Sequence, residues 1–535
     1  MIPGRRRYRS AMRESDADST VYAPRGLVCS VDHLASSAGV ALLRAGGNAV
    51  DAAIGTSAVL AVTTQHMCGM GGDLFALVHH GGSQPAALSA AGPAGSGADA
   101  AAMRAGGLTE MPMRGDVRST TVPGCVDGWL TLHKRFGRLP LAQVLAPARD
   151  YAANGFPASP LLALATRRLA LQVAGADDYL PAGGLHSGDR VRRPLVADAL
   201  DAIARNGRDG FYGGAFGAGL LELGGGLFDR TDLERPIARW DDPLRVSAWD
   251  REIWTVPPPS QGYLALAGAR IAEQLDVPDD PDDPAWVHLL SESARWSGHD
   301  REAVLFDGAD GGQLISNDRL DPRRAGIDPL RRTGPAVPAK AGGTIHLCVV
   351  DDAGMGVSLI QSNAAGWGAH LVVPGTGIFL QNRGIGFSLQ SGHPAELAPG
   401  RRPPHTLAPA LVTSGEQLVA VLGTQGGDIQ PQVVLQLLAR MLHNDQSPGH
   451  AIRAPRWTLG DGGFDSWSGT GPQVTTLEST APQSWESGLI ERGHAVVRAP
   501  AGFNVGHAHA IVLRGDGMLA GAADPRVITG AATGW

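Results

Sequence analysis

The stretch Ala341-Gly342-Gly343-Thr344-Ile345-His346-Leu347-Cys348-Val349-Val350 limits the possible folds of this chain more than any other. From Thr344 the side chains alternate, Ile345, Leu347 and Val349 on one side and Thr344, His346, Cys348 and Val350 on the other, as a half-buried strand requires. The turn Asp351-Asp352-Ala353-Gly354 and the run from Val357 to Asn363 complete a hairpin that opens on a threonine. Two glycines before it free the backbone, so the Thr344 hydroxyl can reach the Gly343 carbonyl and cut the chain there. A new N-terminal threonine combines nucleophile and base, because a free α-amine with a reference pKa of roughly 8 takes the hydroxyl proton near neutral pH. Gly-Gly-Thr is also an ordinary tripeptide in a chain with 73 glycines, and a threonine opening a strand is commonly structural. The hairpin by itself leaves both readings open.

The 535 residues are enough for one large core or two to three ordinary ones. Apolar content of 43% and charged content of 18% describe a soluble globular protein. A net charge of −7 with pI near 6.2 and no basic patch argue against a nucleic-acid partner. No apolar run is long enough to span a membrane. Arg5-Arg6-Arg7-Tyr8-Arg9 looks like the start of an export signal, but the following Ala11 to Ser19 is polar and acidic. Residues 1–24 therefore read as a disordered tail and the protein as cytoplasmic. Cys29, Cys68, Cys125 and Cys348 are scattered among apolar residues, which predicts reduced core thiols, no disulfide framework and no metal site.

Along the chain, Asp32 predicts a cap for a helix from about Leu34 to Arg44, and Asn48 a cap for a second from Val50 to about Val62. Cys68-Gly69-Met70-Gly71-Gly72-Asp73 nearly matches a dinucleotide-binding loop, but a strand follows where that loop needs a helix. No cofactor is indicated. Pro257-Pro258-Pro259-Ser260-Gln261-Gly262 must be extended and then turn. The Arg- and Pro-rich stretch from about Ser316 to Lys340 is the most linker-like segment, and it leads to the proposed cut. After the hairpin, a strand from Leu418 to Leu422 delivers Gly423-Thr424-Gln425-Gly426-Gly427-Asp428 to a helix from about Gln430. Backbone N–H groups of such a turn can converge on one point as an oxyanion hole, and a plain strand-to-helix turn reads the same way. No G-x-S-x-G elbow, H-E-x-x-H or P-loop competes.

Taken in order, these segments resemble the γ-glutamyltranspeptidase family of N-terminal-nucleophile hydrolases over nearly the whole chain, from Arg25 to Trp535. The resemblance is carried by Gly46-Gly47-Asn48-Ala49-Val50-Asp51-Ala52-Ala53, Gly69-Met70-Gly71-Gly72, Val122-Pro123-Gly124, Phe136-Gly137-Arg138-Leu139-Pro140, Pro257-Pro258-Pro259-Ser260, Gly343-Thr344, Gly426-Gly427 and Asp524-Pro525-Arg526. It implies an α/β fold, a four-layer αββα sandwich. It also implies self-cleavage between Gly343 and Thr344 into a large fragment, 25–343, and a small fragment, 344–535, together forming one domain. A dimer of such two-fragment units is compatible with it. By position, Thr344 is the nucleophile, Ser362 its supporting hydroxyl, and Gly426 and Gly427 the oxyanion hole.

The departures bear on substrate. Glutamyl-specific members carry an arginine for the substrate α-carboxylate where this chain reads Leu88-Ser89-Ala90-Ala91-Gly92-Pro93. Their aspartate for the α-amine falls at Gly386, their Ser-Ser pair becomes His405-Thr406, and a contacting asparagine falls near Ala364, beside Asn363. Each lost partner is worth roughly 1 to 3 kcal/mol to a desolvated zwitterion. The substitutions resemble the divergent amidohydrolase branch, which includes oxamate-type and acylase-type enzymes. The expectation is a self-processing amide hydrolase or acyltransferase acting on a small amide through an acyl-Thr344 intermediate. Asn363, Asn382, Arg383, His405, Thr406 and Asp428 would bind substrate. True γ-glutamyl transfer or glutathione hydrolysis, cleavage of a C–C bond next to a keto group, and a non-catalytic scaffold are the alternatives.

Overall fold

A helix built almost wholly of small and apolar side chains, its one carboxylate used up at its own N-terminus, has no face to offer water, so it must sit inside. Ala49–Thr63 is such a helix, with all its residues buried. Its N-terminus is closed by a reciprocal box in which the Asn48 side chain accepts from Val50 N and Asp51 N while Asp51 accepts from Asn48 N. Asp51 also accepts from the backbone of Arg138 and Leu139, and Asp351 from Ala49 N. The Asn48-Ala49-Val50-Asp51 and Gly137-Arg138-Leu139 motifs thus meet at one helix end. The helix His33–Arg44, capped by Asp32 as expected, packs beside it.

The computed structural model describes residues 19–169, 173–181, 183–337, 342–460, 474–502 and 505–535. Among them are two antiparallel seven-stranded sheets. One runs in the order Ala531–Gly534, Leu27–Ser30, Gly343–Val350, Gly356–Ala364, Asp73–His79, Ala86–Ala90 and Arg239–Asp241. The other runs Val21–Ala23, Leu519–Ala523, Ala508–Leu513, Gln417–Thr424, Ala410–Ser414, Arg251–Thr255 and Leu244–Ala248. Ile345, Leu347 and Val349 pack with the helices Ala49–Thr63 and His33–Arg44 in one core. Cys348, Val350 and Ile360 pack with Leu411, Val421 and Ile511 between the sheets. Val412 and Leu422 pack with Leu266, Trp286 and Val433 of the helices Tyr263–Glu273, Pro284–Gly298 and Gln430–Leu438. Helices, sheet, sheet and helices are the four expected layers.

Three expectations need correction. The Thr344 strand is buried along its whole length rather than half-buried, because the second sheet covers its other face. The tail does not extend to residue 24: Val21–Ala23 pairs with Leu519, Ala520 and Gly521 and buries Ala23, while residues 1–18 lie outside the described set. The Arg-rich stretch is not simply a linker. Asn317–Ala325 is a helix whose Arg319 and Arg323 bind Asp300 at 2.9 and 2.6 Å and whose Leu320 packs on Ala267 and Ile271. Residues 338–340 of that stretch lie outside the described set. All four cysteines are free and buried, as expected. No helix among the described residues is long and apolar enough to cross a membrane.

The two sheets approach closely at Gly423, where a Cβ would stand 2.6 Å from the His346 ring. That ring is pinned by Ser358 Oγ at 3.0 Å and the His509 ring at 3.3 Å, so it cannot retreat. Gly423→Ala should cost about 1–3 kcal/mol through overpacking, read as a lower denaturant midpoint with unchanged slope. Gly515→Ala, where nothing lies within 4 Å, should stay within about 0.5 kcal/mol.

Candidate active site

Thr344 sits where the hairpin loses register. Gly343 pairs with Ala364 and Ile345 with Gln361, so Ser362 and Asn363 together oppose the single residue Thr344. Gly343 is glycine because of crowding rather than backbone freedom: a Cβ there would meet the backbone of Ala365 and Gly366 at 3.0 to 3.2 Å. The irregularity brings the Ser362 hydroxyl opposite the junction, where it donates to Gly343 O at 2.7 Å and lies 2.9 Å from Thr344 Oγ1. Its one proton is engaged by the carbonyl, so the Thr344 hydroxyl can only donate in this contact, sharing the two lone pairs of Ser362 Oγ with Arg383 Nη2 and Ala364 N. One hydroxyl thereby polarises a peptide carbonyl and draws on the proton of the oxygen adjacent to it.

Ser362 Oγ also receives the Arg383 guanidinium, whose Nη2 donates to it at 3.0 Å while Nη1 donates to Thr406 Oγ1 at 3.1 Å. Gln261 Nε2 donates to both Thr406 O and Gly427 O, each at 2.9 Å. A continuous path therefore runs from Thr344 through Ser362, Arg383, Thr406 and Gln261 to the glycine turn. Gly426 at φ 139° and Gly427 at φ 61° adopt backbone angles that side chains resist, and the turn starts the segment leading into the helix Gln430–Leu438. The turn is held from behind as well. Gln425 N donates to His507 O, and Arg456, paired with Asp524 at 2.7 Å, donates to Val505 O and Gly506 O. Asp524-Pro525-Arg526 acts here through structure.

Behind Arg383 lies Asp73, in register with Ser362 on the neighbouring strand. Asp73 accepts from Gly92 N, Gly124 N and, at 3.2 Å, from His405 Nε2. Leu407 N donates to His405 Nδ1, which places the ring proton on Nε2 and leaves the imidazole neutral. Burial pushes the Asp73 carboxyl up to about 7 against the pull of Arg383, and burial with the nearby cations holds His405 well below its ordinary range. The contact is a hydrogen bond from a neutral histidine rather than an ion pair. Desolvation likewise lowers the Arg383 guanidinium to about 10, still charged at neutral pH.

A cleft of about 590 Å³ reaches this arrangement, with Arg383, Thr406, Arg301 and Asp428 in its wall. Arg301 Nη2 lies 3.1 Å from Asp428 Oδ1. Thr344 itself is fully buried in the continuous chain. Of the expected substrate residues, Arg383, Thr406 and Asp428 line the cleft, whereas Asn363, Asn382 and His405 do not. Asn363 Nδ2 donates to Gln65 O; Asn382 accepts from Ala365 N and donates to Met113 O. Sequence reasoning missed Asp73, Gln261 and Arg301. Asp73 and Gln261 stand inside motifs it singled out, the glycine loop and the triple-proline turn. The loop is glycine-rich because Gly71 and Gly72 lie flush on the backbone of Phe379 and Ser362. Gly386 is closed to any side chain without rearrangement, since a Cβ would stand 2.6 Å from Pro404 O.

The Asp73 shift predicts a sign. Its pKa is raised from 3.8 to about 7, so the native state keeps a proton that the unfolded chain releases near pH 4. That stabilisation is full below about pH 4 and is lost as pH rises through about 7. Chemical denaturation of wild type and Asp73→Asn between pH 5 and 8 should show the wild-type advantage shrinking with pH. The slope should be at most about 1.4 kcal/mol per pH unit, levelling off above 7. A constant difference would contradict a titrating Asp73.

Comparison with known proteins identifies the family. The gamma-glutamyltranspeptidase family model matches residues 35–534. The chain is 36% identical to the oxamate amidohydrolase proenzyme of Klebsiella pneumoniae subsp. pneumoniae, covering 95% of this chain and 98% of that one. It is 35% identical to the glutathione hydrolase-like YwrD proenzyme of Bacillus subtilis, again over 95% and 98%. Among solved structures, cephalosporin acylase from Bacillus halodurans superposes with a TM-score of 0.88 at 31% identity, covering 100% of this chain and 99% of the other. The chain belongs to the gamma-glutamyltranspeptidase family.

Proposed function

We propose that this protein is a self-processing amide hydrolase whose nucleophile is Thr344. The observation that carries the reading is the Ser362 hydroxyl, bonded at once to the Gly343 carbonyl oxygen and to the Thr344 hydroxyl oxygen. Attack of Thr344 Oγ1 on the Gly343 carbonyl carbon forms an ester as the C–N bond breaks and the nitrogen gains a proton. Water then hydrolyses the ester, leaving a large fragment ending at Gly343 and a small one beginning at Thr344. The proenzyme names of the relatives support such a cut.

In the cut protein the Thr344 α-amine accepts the hydroxyl proton and Oγ1 attacks the substrate carbonyl. Gly426 and Gly427 supply N–H donors to the oxyanion, the amine departs with a proton, and water releases the acyl group. Ser362, held by Arg383 and Ala364 N, fixes the nucleophile's position. The substrate is not a γ-glutamyl compound on this reading. Pro404 O occupies the space into which an amine-binding aspartate at position 386 would extend. Two of the relatives' names, oxamate amidohydrolase and acylase, support amides of other acids, while the glutathione hydrolase-like name of another supports the glutamyl alternative.

Intact mass under denaturing conditions, followed by incubation with a chromogenic γ-glutamyl anilide, tests this. Two fragments with Thr344 at the start of the smaller, and no anilide release, are expected. Thr344→Ala should give one uncut chain without amide turnover, a loss of at least 10³-fold. Rapid anilide release would restore the glutamyl reading. An uncut wild-type chain would leave a scaffold, and a fully active Thr344→Ala would sink the mechanism.

A further inference from the structure

Resting on that reading, the crowding around one oxygen gives Arg383 a part in the cut. Ser362 Oγ has four polar neighbours. It donates to Gly343 O at 2.7 Å and receives Ala364 N at 2.9 Å, Thr344 Oγ1 at 2.9 Å and Arg383 Nη2 at 3.0 Å. A hydroxyl oxygen has two lone pairs, so three donors exceed what a neutral serine serves well. An oxygen bearing negative charge serves all three, and the charged guanidinium is the strongest among them. Thr344 and Ser362 are fully buried and Arg383 is 2% exposed, so water does little to screen its charge. A surplus of donors around an oxygen whose own proton points at the carbonyl under attack is the setting of an acid.

We propose that Arg383 is a positioning residue for self-cleavage, its guanidinium making Ser362 the acid that protonates the Gly343 carbonyl oxygen. As Thr344 Oγ1 bonds to the Gly343 carbonyl carbon, the Ser362 proton passes to the carbonyl oxygen. The Thr344 hydroxyl proton replaces it on Ser362 Oγ. Negative charge that gathers on Ser362 Oγ between the two transfers is met by Arg383 and by Ala364 N. The tetrahedral carbon then carries a neutral hydroxyl, and Ser362 is restored with no net gain or loss of a proton. When the C–N bond breaks, that hydroxyl gives up its proton as the carbonyl re-forms, and the Thr344 nitrogen gains one, leaving the ester. Thr406 Oγ1 holds the other arm of the guanidinium, 3.1 Å from Nη1, and Gln261 holds Thr406 in turn. The cut thus has its own acid, separate from the Gly426 and Gly427 donors of turnover.

The test follows full-length chains made by cell-free translation and times the appearance of the two fragments on denaturing gels. Arg383→Gln should slow the cut by about 10- to 100-fold, the worth of a hydrogen bond to a charged group. Arg383→Lys, which keeps a charged donor, should slow it less. Ser362→Ala should slow it by at least about 100-fold. Because Arg383 acts through Ser362, adding Arg383→Gln to Ser362→Ala should slow the cut by no more than about twofold further. An arginine with a merely structural role would slow both backgrounds alike. Circular dichroism and melting of the accumulated precursors establish that the compared chains are folded. Should Arg383→Gln not fold, wild-type cutting in mixtures of light and heavy water carries the test: two protons in flight predict a curved dependence on deuterium fraction, and a straight line would overturn the acid. An Arg383→Gln chain cut at the wild-type rate, or equal slowing in both backgrounds, would overturn the assignment while leaving the cut before Thr344 standing. A wild-type chain that stays whole would instead remove the proposed function on which the assignment rests.

Discussion

A guanidinium taken out of water must be met by acceptors, and the site is largely the set of groups that meet Arg383. Two of its donors end on hydroxyls, Ser362 and Thr406, and the carboxylates of Asp73 and Asp428 supply the balancing field. Each of those groups is fixed by something else. Ser362 is set by the register irregularity at Thr344, and Thr406 by Gln261 of the triple-proline turn. Asp73 is set by the backbone of Gly92 and Gly124. One buried cation therefore couples four separate segments of sequence, and Thr344, the proposed nucleophile, is two hydrogen bonds away.

Much of this was legible in the chain. The alternation from Thr344, the caps at Asp32 and Asn48 and the strand-to-glycine-turn at 418–427 are local signals, and local signals survive folding. The sidedness of the Thr344 strand was also right, with Ile345, Leu347 and Val349 on the helix side. Its second burial was missed, because Thr344 and His346 look like solvent-facing residues until another sheet covers them, although Cys348 was read as a core thiol.

What stayed hidden was contact between distant segments. Asp73 belongs to a loop judged by its glycines, and nothing in that loop announces a partner 332 residues away at His405. Gln261 follows three prolines and reads as a turn residue, although its amide spans Thr406 and Gly427. Arg301 carries no motif at all. The Arg-rich stretch misled in the opposite direction, since composition alone does not show that Asp300 pairs with two of its arginines.

The sheet that holds Thr344 has a consequence for assembly. Its central strands alternate in origin: Leu27–Ser30 lies beside Gly343–Val350, Gly356–Ala364 beside Asp73–His79, and Ala531–Gly534 closes the edge next to Leu27–Ser30. A polypeptide ending before Thr344 would leave the edges of Leu27–Ser30 and Asp73–His79 unpaired, and one beginning at Thr344 would expose a bare two-stranded hairpin. Such open edges invite aggregation. The two halves are thus one folding unit written as a single message. The proposed scission before Thr344 would therefore be a late event in the life of a chain already assembled, and genes encoding the halves separately would produce partners that must find each other before either is soluble.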